Sequence, residues 1–92
     1  MNDREEMLLA AHRRSSGHRA ELERSEICSC FYCCQTFPVH RIEEWIDEGS
    51  TALCPHCGVD AVLGSASGDP VAEQSFLRAM HLRWFGPVDG PA

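Results

Sequence analysis

Two pairs of cysteines carry the clearest chemistry in this chain: Cys30-Phe-Tyr-Cys33 and Cys54-Pro-His-Cys57, separated by twenty residues. A two-residue gap closes a turn that points both sulfurs inward at about 2.3 Å from one ion, with backbone N–H groups free to bond the thiolates. Two such turns supply four thiolates in a tetrahedral shell that is closed to substrate, and this spacing reads as a zinc site. Cys30, Cys33, Cys54 and Cys57 are therefore the expected ligands of one Zn2+ per chain, with iron as the less favoured occupant. Pro55 fixes a backbone angle inside the second turn, and Gly58 eases the chain reversal after it. Phe37, four residues past Cys33, is placed to cover the site.

The same thiols admit other chemistries. "CSCFYCCQTF", residues 28–37, holds four of the six cysteines, so Cys28 and Cys34 are left over. Free cysteines of this kind usually pack as small buried hydrophobes. Cys28 would share a strand face with Cys30, and a shift of register could exchange either spare cysteine for a ligand. A thioredoxin-type reading of "CPHC" needs a helix opening at the motif, whereas "GVDAVLG" after it is strand-like. Cysteine nucleophiles need a histidine base. Nothing in the sequence brings His18, His40 or His81 to a thiol. His56 and His40 are expected at the surface. So is His18, in a first helical turn near Glu21, with a local polar site as its alternative.

Some framework must hold the knuckles. The 92 residues make one domain with a modest core, the kind that a metal commonly supplements. Residues 3–14 have helical composition, acids early and arginines late, and 18–26 read as a second helical piece. "FPVHRIEEWIDEG" predicts an inserted helix over about 39–48, with Pro38 at its start, Ile42, Trp45 and Ile46 on one face, and Gly49 closing it. "TALCPHCGVDAVLG" predicts strand, tight turn, strand. Asp69 is expected to cap a helix running from Pro70 to about residue 85. The fold class is α+β: a small zinc-ribbon-like domain, with two CxxC knuckles on short β-hairpins, one inserted helix, and N- and C-terminal helices. Residues 1–16 would form a flexible helical arm, 17–86 the domain and 87–92 a flexible tail. The expected core is Phe37, Ile42, Trp45, Leu53, Val62, Phe76, Met80 and Trp84.

Charge and targeting narrow the setting. Fourteen acids stand against eight bases, all arginine, for a net charge of −6. Such a balance opposes generic phosphate binding, although Arg13, Arg14, Arg19 and Arg24 could form a local basic patch for nucleic acid. No stretch resembles a signal-peptide core or approaches the ~20 apolar residues of a membrane span. The expected setting is cytoplasmic, where clustered thiols stay reduced, with no membrane partner.

On "SEICSCFYCCQTFPVHRIEEWIDEG", "TALCPHCGVDAVLGSAS" and, more loosely, "FLRAMHLRWF", the chain resembles a family of small bacterial and phage-associated zinc-ribbon proteins, often labelled only "cytoplasmic protein". The resemblance runs from about His18 to Phe85. It implies the ligands Cys30, Cys33, Cys54 and Cys57 and the framework positions Phe37, Ile42, Trp45 and Asp60, and it brings no established activity. Function is left to three readings, in order: a protein-interaction or adaptor module that is not an enzyme, a nucleic-acid-binding ribbon, and a thiol sensor or thiol enzyme using Cys28 or Cys34.

Overall fold

The computed structural model describes residues 3–86. Helix α1 (Asp3–Arg13) opens on Asp3, Glu5 and Glu6 and closes on His12 and Arg13, the charge order that complements the helix dipole. Leu8 and Ala11 are buried, while Met7 and Leu9 stay partly exposed. The chain leaves α1 through a turn in which the Ser15 hydroxyl donates to the His12 carbonyl and Gly17 takes a positive φ of 58°. A short helix, α2 (Arg19–Glu23), follows and buries Leu22.

Three strands, β1 (Cys28–Cys30), β2 (Thr36–Phe37) and β5 (Val62–Gly64), form an antiparallel sheet in the order β2-β1-β5. Every residue of β1 and of β5 is buried. Cys28 pairs with Phe37 on one side and Gly64 on the other. Gly64 must be glycine because α2 lies directly against it: a Cβ there would run into Ser25 Oγ and Leu22 Cδ2. The last helix, α3 (Gln74–Phe85), buries Phe76, Leu77, Met80 and His81.

The predicted helix over 39–48 does not form. A single 3-10 turn (Val39–Arg41) is followed by extended chain and a two-stranded hairpin of β3 (Trp45–Ile46) and β4 (Thr51–Ala52). Asp47, Glu48 and Gly49 all have positive φ (55°, 60° and 88°), and Thr51 Oγ1 donates to Asp47 Oδ2 at 2.9 Å across the turn. Docking decides the outcome. The Ser50 carbonyl accepts both the His18 and Arg19 N–H groups, and the Arg19 guanidinium lies 4.3 Å over the Trp45 ring. A ten-residue helix with one narrow stripe is marginal alone, and these tertiary bonds favour the hairpin. Ile46, placed with Ile42 and Trp45 on one face of the predicted helix, is exposed.

Two further expectations change. β4 and β5, on either side of the second CxxC, do not pair with each other; β4 joins β3 and β5 joins β1, so the second knuckle links two sheets. Asp69 caps no helix, and α3 starts at Gln74. Instead Asp69, almost buried, accepts Arg14 in bidentate fashion at 2.6 and 3.1 Å and the Ser67 hydroxyl at 3.0 Å. That pair ties the end of α1 to the loop before α3 and raises the Arg14 pKa through the carboxylate's hydrogen bond.

Segment 1–16 is packed over its described part. Arg83 Nε donates to Glu5 Oε2 at 2.6 Å, and His12 stacks on Trp84 with ring centres 4.3 Å apart. The expected tail, 87–92, lies outside the described residues. Of the expected core, Phe37, Ile42, Val62, Phe76 and Met80 are buried, whereas Trp45, Leu53 and Trp84 are half-buried. Leu22, Phe31, Leu63, Val71 and Leu77 are also in the core, with Leu8 and Ala11 of α1. Among the described residues no helix is long and apolar enough to cross a membrane.

Candidate metal centre

The two knuckles are built alike. In the first, Cys34 N–H donates to the Cys30 carbonyl (2.7 Å) and Cys30 N–H to the Gln35 carbonyl (3.0 Å). In the second, Gly58 N–H donates to the Cys54 carbonyl (2.9 Å) and Cys54 N–H to the Val59 carbonyl (3.0 Å). The residue two after each leading cysteine aims its N–H at that sulfur: Tyr32 at Cys30 Sγ and His56 at Cys54 Sγ, both at 3.3 Å. Those N–H groups favour a thiolate over a thiol.

The structure brings Cys30, Cys33, Cys54 and Cys57 together, with all four sulfurs within 4.8 Å of one another. Cys30 Sγ lies 3.6 Å from Cys57 Sγ, and Cys33 Sγ lies 3.7 Å from Cys54 Sγ. A tetrahedron with metal–sulfur bonds of about 2.3 Å has sulfur–sulfur edges of about 3.8 Å. A disulfide would need about 2.05 Å, and all six cysteines are free. The donor set therefore fits a thiophilic cation that takes four sulfurs.

Electrostatics agree with the geometry. Burial pushes the Cys30 and Cys33 thiols up. At Cys54 burial acts in the same direction, but the N–H groups of Cys57 and His56, with the thiols of Cys33 and Cys57, outweigh it and pull the group down. Four thiolates at these distances repel one another, so the protein alone favours only part of the cluster as anions. A divalent cation removes that penalty.

Around the cluster, Phe37 is buried and its ring centre lies 5.7 Å from that of His56, so it does pack on the second knuckle. His56 and His40 are exposed, as expected, and so is Asp60. The spare cysteines are outside the cluster. Cys28 is fully buried in β1, and burial pushes its thiol up to about 11. Burial also raises Cys34, against a lowering by Arg78. Neither has the depressed pKa of a reactive thiol.

Cys34 has a structural oddity of its own. It occupies the position that Gly58 fills in the second knuckle, and its φ is 63°, beside 81° for Gly58. A side chain in the left-handed region costs roughly 1–2 kcal/mol. Cys34→Gly should therefore raise the melting temperature of the metal-loaded protein by several degrees; an unchanged or lower value would mean that the thiol's packing outweighs the strain.

Two histidines that the sequence left at the surface or unassigned are buried against the knuckles. His18 is only 4% exposed. Its Nδ1–H donates to the Arg14 carbonyl (2.8 Å), and its Nε2 accepts the Ala52 N–H (3.1 Å), two residues before Cys54. Because a carbonyl only accepts and an N–H only donates, this histidine is the neutral Nδ1–H tautomer. Burial lowers its pKa, against opposing effects of the Arg14 carbonyl and Glu21. His81 of α3 donates from Nδ1 to the Tyr32 carbonyl, inside the first knuckle, at 2.7 Å. No residue pattern could have revealed either bond, since both histidines meet backbone groups.

The arginines expected to form a patch are largely engaged. Arg14 is paired with Asp69, Arg19 with Glu23 at 3.1 Å and with the Gly49 carbonyl, and Arg24 donates to the Ala20 carbonyl. Arg13 is exposed. No protein family, curated protein or solved structure matches this chain, so what its site can do rests on the four-sulfur geometry itself.

Proposed function

We propose that this chain is a zinc-ribbon-like interaction module whose zinc is structural, held by Cys30, Cys33, Cys54 and Cys57, and which acts in a reducing compartment as an adaptor for a protein partner. The observation that carries the reading is the closed set of four sulfurs. Every position of a tetrahedral ion is taken by protein, which leaves none for a substrate or an activated water. The engagement of Arg14 and Arg19 with carboxylates supports a protein partner over nucleic acid, because phosphate contacts need unpaired positive charge. The raised thiols of Cys28 and Cys34 give thiol catalysis no support.

Two measurements test it. Native mass spectrometry should find one zinc per chain, and a metal-free folded chain would end the structural-zinc reading. A gel-shift series with single- and double-stranded oligonucleotides should show no retardation at any salt. Retardation that weakens steeply as salt rises would replace the adaptor with the nucleic-acid-binding ribbon.

A further inference from the structure

The knuckles differ in how they are supported. Pro55–Gly58 of the second are exposed, whereas the first lies against α3. Gln74 Nε2 donates to the Cys34 carbonyl at 3.0 Å, and His81 Nδ1 donates to the Tyr32 carbonyl at 2.7 Å. The second contact matters more for the sulfurs. The Tyr32 carbonyl and the Cys33 N–H are two ends of one planar peptide, pointing in opposite directions. That peptide leads directly into Cys33, whose Sγ lies 3.7 Å from Cys54 Sγ, and the N–H of Tyr32 at its other side points at Cys30 Sγ at 3.3 Å. A donor that holds the carbonyl therefore sets the direction of the N–H behind it. His81 is almost buried, and its ring also packs on Tyr32 (5.3 Å) and Phe85 (5.4 Å), which leaves it little freedom to turn away.

We infer that His81 is a positioning residue for the metal site: through the Tyr32–Cys33 peptide it holds the first knuckle in ligating geometry and couples α3 to the metal. This rests on the reading of the four cysteines as metal ligands. Outer-shell partners of metal ligands typically matter by 10–100-fold in affinity.

The test uses Co2+, whose sulfur-to-metal charge-transfer band reports thiolate ligation and whose visible d–d bands report tetrahedral geometry, titrated in competition with a chelator. His81→Leu removes the donor and should weaken Co2+ binding by roughly 10-fold or more. His81→Asn, whose side-chain amide places an N–H close to the Nδ1 position, should restore most of it. Leu77→Ala, a buried truncation on the same helix, separates coupling from stability. It should lower the melting temperature at least as far as His81→Leu while weakening Co2+ binding less. Equal affinity loss in His81→Leu and Leu77→Ala at equal thermal loss would overturn the proposal, as would failure of His81→Asn to recover binding. Absence of the cobalt–thiolate band in the unaltered protein would instead remove the metal site itself.

Discussion

Stripping the metal from the loaded protein with a strong chelator is expected to unfold it. The far-ultraviolet circular dichroism should lose its helical and strand signal, and the melting transition should disappear. Each knuckle is a turn of five residues, and the sulfurs of one face those of the other at 3.6–3.7 Å. Without a cation those sulfurs are either repelling thiolates or desolvated thiols, and burial of Cys30 and Cys33 already disfavours their charged forms. The sheets on either side are short: β2, β3 and β4 have two residues each, so little ladder remains once the knuckles open. A structural zinc supplies on the order of 10 kcal/mol, as much as the whole net stability of an ordinary small domain. Cys30→Ser and Cys54→Ser should reproduce the chelated state. A metal-free protein with unchanged dichroism and an unchanged melting profile would refute the assignment.

The second large effect belongs to His18. His18→Leu should cost about 3 kcal/mol, because it leaves the Ala52 N–H and the Arg14 carbonyl without partners in the interior, at roughly 1–3 kcal/mol for each buried unsatisfied group. In a domain of this size that corresponds to a fall of roughly 10–20 °C in melting temperature.

The loss should depend on pH in a defined direction. Burial depresses the folded pKa of His18 below its ordinary 6.5. The unfolded chain therefore takes up the proton first as pH falls. The stabilisation by His18 is complete above about pH 6.5 and is lost as pH drops through the folded value. The gap between the unaltered protein and His18→Leu should be widest at pH 7–8 and should narrow toward pH 5. Protonation of the metal's thiolates acts on both proteins alike and cancels in that difference. A gap that stays constant over this range would show that His18 does not carry the neutral, doubly bonded role assigned to it.

The cysteine pairs were legible in the sequence because a knuckle is local: five residues, a fixed gap and a reversal contain the whole geometry. Other features depend on partners far along the chain. Ile42, Trp45 and Ile46 satisfy a helical stripe, yet the hydrogen bonds from His18 and Arg19 to Ser50 select a hairpin that periodicity does not encode. Asp69 before Pro70 has the form of a helix cap, but Arg14, 55 residues away, takes the carboxylate. His18 and His81 bond backbone groups, which every residue possesses, so residue identity gives no hint of them. The α+β class followed from local patterns. The placement of the second knuckle between two sheets follows from which strand β5 finds.

That last pairing bears on synthesis. β1 is the central strand of its sheet, and its partner β5 arrives more than thirty residues later, after both halves of the metal site have been made. A nascent chain holding only the first knuckle has two of the four clustered sulfurs, one open strand edge and no α3 to cover it. Non-local pairings of this kind slow folding, because the intervening loop must be ordered before the contacts reward it. Capture of a metal ion by the proposed site across residues 30–57 would shorten that search by closing the loop in advance. The ion would then act early, as a nucleus on the folding path, with β5 and α3 docking onto a framework already drawn together.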